Sequence, residues 1–78
     1  MPDPGSHGRP ETILEMARRH VREGDERLTR QAAIVVAMEG GGHHGQAALA
    51  RRVLETMRTA LELQKRHLRD IEARSKMT

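Results

Sequence analysis

Apolar residues recur along this chain in two long stretches, at spacings that alternate between three and four residues. Such spacing places the side chains on one face of an α-helix and is typical of a helix that packs against another helix. The first stretch comprises Leu14, Ala17, Val21, Gly24, Leu28, Gln31, Val35 and Met38. The second comprises Ala47, Ala50, Leu54, Met57, Leu61, Gln64, Leu68 and Ile71. The pattern predicts helices over about residues 10–39 and about residues 46–74.

A glycine-rich segment separates the two stretches, since residues 40–45 read Gly-Gly-Gly-His-His-Gly. Each glycine costs a helix about 1 kcal/mol relative to alanine, so we expect a loop here, with Gly40 as a left-handed cap of the first helix. Pro10 suits the first turn of that helix. Thr12 and Glu15 have the spacing of a capping box, which satisfies backbone N–H groups at the helix start.

The rest of the chain is predicted to contribute little structure. Residues 1–9 hold two of the three prolines and two glycines, a composition that buries too little surface to become ordered and therefore predicts a disordered tail. We expect a single folded domain over residues 10–75 and a frayed end over residues 76–78.

Folding the chain back at the loop brings the two apolar faces together, which predicts an all-α, antiparallel two-helix hairpin. The register pairs Met38 with Ala47, Val35 with Ala50, Leu28 with Met57, Gly24 with Leu61, Ala17 with Leu68 and Leu14 with Ile71. Small residues thus repeatedly oppose large ones, as packed interfaces prefer. Two glutamines, Gln31 and Gln64, interrupt the apolar faces. Each either fixes the register from a buried position or extends its amide to the solvent edge.

A hairpin covers one face of each helix, but this chain has a second set of apolar residues beside the first. We call this set the apolar stripe: Ile34, Leu49, Val53, Ala60 and Leu63. Ile13 lies on the same flank. The other flank has the composition of a solvated face, with Arg18, Asp25, Arg51, Arg58, Lys65 and Glu72. Because the apolar surface extends onto one flank only, the sequence predicts a homodimer in which two hairpins form a four-helix bundle. A heterologous protein partner is the alternative.

Chain length and composition also favour self-assembly. A chain of 78 residues buries only about 60% of the surface exposed when it is unfolded, and small domains usually add a disulfide, a metal or a partner subunit. The chain has no cysteine, which excludes disulfides and fits the reducing cytoplasm, our expected location. Oligomerisation is then the remaining source of stability.

Charge and aromatic content narrow the classes of partner. The formal net charge is +3, from mixed signs that make up 32% of the residues, so the field of the protein is mildly basic. Phe, Tyr and Trp are absent, which removes the stacking platforms of single-stranded nucleic-acid binders. No apolar run approaches the roughly 20 residues of a membrane span, and residues 1–5 lack the features of a signal peptide. We expect no membrane partner.

Histidines are the most prominent chemical candidates. Adjacent side chains such as His43 and His44 diverge, and zinc needs three or four converging ligands, so we assign no metal site. His20 and His67 fall near each other in the predicted register, on the flank of the apolar stripe. They are either ordinary flanking residues or a pH-sensitive border of an interface. A metal- or pH-responsive helical regulator is accordingly one alternative function.

Catalysis has little support in the sequence. There is no glycine-rich turn after a strand, no nucleophile elbow and no cysteine, and the carboxylates are interspersed with arginines at helical spacing. We therefore predict a binding protein with no catalytic residue, no cofactor and no small-molecule substrate.

Nucleic-acid binding is a second alternative. Six basic residues should gather at the open end of the hairpin, and we call them the basic tip: Arg18, Arg19, Arg22, Lys65, Arg66 and Arg69. Such residues can contact phosphates without reading sequence. Glu15, Glu23, Glu62, Asp70 and Glu72 are interspersed among them. We rank a weak nucleic-acid-binding accessory protein below a protein-interaction or self-assembly module.

One resemblance covers most of the folded part. The segment His20-Val21-Arg22-Glu23-Gly24, the step Arg30-Gln31, the glycine loop and the later Leu54, Leu61 and His67 resemble the pattern of short uncharacterised bacterial proteins. The resemblance implies a helical hairpin over residues 18–71 and transfers no activity and no site. It suggests His20, Gly24 and Gln31 as positions to test.

Overall fold

The computed structural model describes residues 10–77, which form two α-helices joined by a short turn. Helix α1 spans Ile13–Gly40 and helix α2 spans His44–Lys76. The two helices pack against each other along their length, so the predicted all-α hairpin is confirmed. The predicted disordered tail, residues 1–9, and the terminal Thr78 lie outside the described residues.

The start of α1 is the predicted capping box. Glu15 donates its backbone N–H to the Thr12 hydroxyl at 3.0 Å, and Thr12 donates its own N–H to Glu15 Oε1 at 2.9 Å. Thr12 has an extended backbone, with φ −75° and ψ 165°. Since a cap residue lies just outside the helix, α1 begins at Ile13 and not at Pro10.

The turn between the helices differs from the prediction in its cap and its length. Gly42, with φ +79°, is the left-handed residue, and Gly40 is the last residue of α1. His43 donates its N–H to the Met38 carbonyl at 2.9 Å and Gly42 donates to the Glu39 carbonyl at 3.3 Å. These two bonds make a Schellman motif. Its left-handed residue is Gly42, two positions after the predicted Gly40.

Helix α2 begins at His44, two residues before the predicted start, and includes Gly45. Its N-cap, His43, makes no side-chain capping hydrogen bond. Gly40 and Gly45 are therefore helical despite the low helix propensity of glycine, because the packing of the helices outweighs single-residue preferences. Helix α2 ends at Lys76, and Met77 follows it as a turn residue.

The core is a thin seam between the helices. Its buried residues all belong to the two predicted apolar faces: Ala17, Val35, Ala47, Ala50, Leu54, Leu61 and Ile71. Near the turn, Val35, Ala50 and Leu54 form a cluster onto which the half-buried Leu28 and Met38 pack. Most of the buried positions are small or medium in size, which lets the helix axes approach closely.

Two interruptions of the apolar faces have structural roles. A Cβ atom on Gly24 would lie 3.0 Å from Leu61 Cδ1 and 3.0 Å from Gln64 Oε1, so the missing side chain lets α2 approach α1, as predicted. Gln31 donates its amide N–H to the Ala50 carbonyl at 2.9 Å across the seam. This bond ties the two helices together at one position and supports the interpretation of Gln31 as a residue that fixes register.

Neither α1 nor α2 contains an apolar segment long enough to cross a membrane, within the part of the chain that the structure describes.

Candidate functional site

The apolar stripe is uncovered in the hairpin. The exposed fractions of its four larger side chains are 43% for Ile34, 62% for Leu49, 44% for Val53 and 57% for Leu63. Ala60 is also exposed. Aliphatic side chains exposed along one flank are poorly solvated by water, and apolar surfaces of this kind mark interaction sites.

The groove between the helices brings the stripe residues of α1 and α2 together. Near the turn, Ile34 of α1 and Leu49 and Val53 of α2 line one shallow depression. Farther along the same groove, Ala60 lines a smaller depression with Arg27 of α1. The structure therefore places Ile34 beside Leu49 and Val53, while Arg27 borders the stripe at Ala60.

Thr56 belongs to this surface, although the apolar pattern passed over it. It follows Val53 by three residues and precedes Ala60 by four, so it occupies the same face of α2. Its hydroxyl donates to the Arg52 carbonyl of the same helix at 3.1 Å. With the hydroxyl satisfied internally, Thr56 could enter an interface without leaving an unpaired donor. The helical spacing was the signal that could have found it.

The opposite flank is charged. Arg18 of α1 pairs with Glu72 of α2 at 3.6 Å, and Glu39 of α1 pairs with Arg51 of α2. Arg58 pairs with Glu55 within α2. Exposed ion pairs contribute little to stability, typically below about 1 kcal/mol each, but they keep this flank hydrated. The hairpin thus has one apolar flank and one charged flank.

The basic tip is partly neutralised by acidic neighbours. Besides the pair of Arg18 with Glu72, Arg19 contacts Glu11 at 3.0 Å and Glu23 at 3.3 Å. Of the remaining members, Arg22, Arg66 and Arg69 are exposed and Lys65 is half-buried. Carboxylates that already engage two of the arginines weaken the attraction of the tip for phosphate.

Glu11 and Arg19 form the best defined ion pair of the tip. The guanidinium donates from Nε to Glu11 Oε2 and from a terminal nitrogen to Oε1, both at 3.0 Å. These hydrogen bonds are the main reason why the pKa of Glu11 lies below its ordinary value of 4.5, and the same bonds raise the pKa of Arg19. The sequence pattern did not reveal the pair, because the two residues are eight positions apart.

This pair predicts an acid-side titration that can be measured by NMR. The Glu11 carboxyl should titrate with a midpoint below 4.5 in the wild type and return towards 4.5 in Arg19→Gln. Because the folded pKa is depressed, the stabilisation is present above the unfolded pKa and is lost as pH falls through the folded pKa. Arg22→Gln, a change at an exposed neighbour, is the control and should leave the midpoint unchanged. An equal midpoint in wild type and Arg19→Gln contradicts the pairing.

The four histidines of the described residues lie at the surface. His20 and His67 are both exposed, His43 occupies the N-cap position of α2 and His44 is the first residue of that helix. His67 follows Leu63 by four residues, which continues the face of the apolar stripe. Over residues 10–77, no group of three or more His, Cys, Asp or Glu side chains is placed to hold a metal ion. The pH-sensitive role of His20 and His67 stays a prediction.

Comparison with known proteins adds no relative. No protein-family model, no curated protein and no solved structure matches the chain. The resemblance to short bacterial proteins is not tested by these comparisons and stays a prediction.

Proposed function

We propose that this protein is a self-assembly module, a homodimer in which two hairpins form a four-helix bundle through the apolar stripe. The observation that carries the proposal is the contrast between the flanks. One flank exposes Ile34, Leu49, Val53 and Leu63, and the other carries the ion pairs Arg18–Glu72 and Arg51–Glu39. A second copy would cover the first flank and leave the second in water.

Energetics support the same arrangement. The seam buries seven hydrophobic residues, three of them alanines, within the described part of the chain. So narrow a core has to offset roughly 1–2 kcal/mol of backbone entropy for each ordered residue. A bundle interface centred on the stripe of both copies would bury on the order of 1,500 Å² in total, the size of a specific interface.

The proposed activity is binding, without a catalytic residue, a cofactor or a small-molecule substrate, in a bacterial cytoplasm. A reducing compartment suits a chain without cysteine. The partly neutralised basic tip favours self-assembly over nucleic-acid binding, since Arg18 and Arg19 already have acidic partners. The exposed His20 and His67 would at most modulate such an interface when protonated.

Sedimentation equilibrium tests the proposal. At micromolar concentration the wild-type protein should have twice the 8.8 kDa mass of one chain. Its thermal midpoint should rise with protein concentration, because dissociation is coupled to unfolding. A folded monomer with a midpoint independent of concentration contradicts the homodimer and assigns the stripe to a heterologous protein partner.

A further inference from the structure

We infer that the two copies meet through α2, with the α2 helices antiparallel and a two-fold axis near Thr56. This inference rests on the proposed homodimer and adds the orientation of the second copy. Two symmetric arrangements cover the same flank. With the axis along the helices, the turns of both copies lie at one end and α2 packs on α1 of the second copy. With the axis across the helices, the turns lie at opposite ends and α2 packs on α2.

The distribution of apolar residues separates these arrangements. Four of the five stripe residues are on α2, between Leu49 and Leu63. Helix α1 supplies Ile34 near the turn, but at the level of Ala60 it presents Arg27, which lines the same depression as Ala60. The neighbouring Glu23 already pairs with Arg19.

A two-fold axis along the helices keeps every residue at the same height in both copies. If the turns lie at the same end, the Ala60 region of α2 therefore packs on the Arg27 region of α1 in the second copy. A guanidinium would then be desolvated against aliphatic side chains, which is costly without a paired carboxylate. Turns at opposite ends place α2 against α2, so that all four α2 residues of the stripe meet apolar partners. Arg27 then lies on the α1 side of this contact, from which its long side chain can extend its charged end into water.

The spacing of the α2 residues fits an antiparallel contact. Residues 49, 53, 56, 60 and 63 are separated by four, three, four and three positions, a series that reads nearly the same in both directions about Thr56. Reversing one copy brings the region of Leu49 to that of Leu63 and the region of Val53 to that of Ala60. Large residues therefore meet in the outer layers, and a larger residue meets a smaller one nearer the axis.

Thr56 suits a position at the axis. It is exposed in the hairpin, and its hydroxyl already donates to the Arg52 carbonyl. Its methyl group can pack against the equivalent residue of the second copy while no hydroxyl is left unpaired. A charged residue at this position would be repelled by the same residue of the second copy across the axis. The chain instead has the uncharged Thr56 there.

Distances between spin labels on the two copies test the orientation. The chain has no cysteine, so His44→Cys, Thr59→Cys and Asp70→Cys each give one label site. All three positions are exposed. With 1.5 Å of rise per residue, an axis near residue 56 places the two labels about 36 Å apart at position 44 and about 42 Å apart at position 70. At position 59 the labels should be within about 20 Å.

The outcomes are distinguishable. Short distances at all three positions would overturn the antiparallel orientation and support turns at the same end, with the homodimer intact. A dimer mass by sedimentation with two long distances and one short distance supports the inference. A monomer mass with no distance between copies rejects both the homodimer and its orientation. Sedimentation of each unlabelled variant controls for loss of assembly caused by the cysteine itself.

Discussion

Replacing Val53 and Leu63 together by aspartate is expected to disrupt the proposed dimer. Both side chains are about half exposed in the hairpin, at 44% and 57%, so the changes leave the seam between α1 and α2 intact. In the proposed dimer the same positions would be covered, and each unpaired carboxylate in an apolar interface costs several kcal/mol. Symmetry doubles the number of such groups. We expect the dissociation constant to rise at least about 100-fold, measured by sedimentation equilibrium.

Val36→Asp is the matched control for this variant. Val36 is 68% exposed and lies two residues from Ile34, outside the apolar stripe. The change adds the same charge to an exposed valine and should leave the dimer mass unaltered. Circular dichroism establishes whether the double variant remains helical, and Leu63→Ser provides a milder variant if it does not. Dimers of unchanged affinity in the folded double variant would show that the stripe is not the contact.

Truncating Leu54 to alanine is expected to cause the largest loss of stability among single core changes. Leu54 is 7% exposed and forms a cluster with Val35 and Ala50 at the turn end of the seam. Removal of a buried leucine side chain typically costs about 2–5 kcal/mol, from lost burial and from the cavity that remains. For a small domain this approaches the entire free energy of unfolding. Urea denaturation followed by circular dichroism measures the effect.

Val36→Ala serves as the control for this truncation, because it also removes aliphatic atoms but from a side chain that is 68% exposed. Its midpoint should stay close to that of the wild type, since exposed substitutions are usually within about 0.5 kcal/mol. Equal losses for Leu54→Ala and Val36→Ala would mean that the seam is not the source of stability. Both variants should be compared at one protein concentration, because the proposed dimerisation would contribute to the midpoint.

The fold could be predicted from sequence because its main determinants are local and periodic. The spacing of apolar residues from Leu14 to Ile71 defines two helical faces, and a glycine-rich interruption between them allows one reversal of direction. The capping box of Thr12 and Glu15 involves residues three positions apart, so it too could be recognised from the sequence. The close approach of Leu61 to Gly24, which has no side chain, followed from the register.

The details of the turn depended on tertiary packing. Three consecutive glycines can all adopt a left-handed backbone, so the sequence alone could not determine that Gly42 and not Gly40 would be the left-handed residue. The choice depends on where α2 must begin to keep Ala50 and Leu54 in the seam. Once α2 starts at His44, a Schellman motif from Met38 to His43 closes the turn.

Polar contacts between distant residues were likewise decided by the fold. The sequence left open whether Gln31 was buried or at the edge, and packing places its amide against the Ala50 carbonyl. Arg19 appeared as one member of a basic tip, while the structure pairs it with Glu11 and Glu23. Periodicity by itself determined which residues face the seam and which form the stripe. Only the packed helices decided which charges meet, because an ion pair depends on side-chain positions that no local spacing specifies.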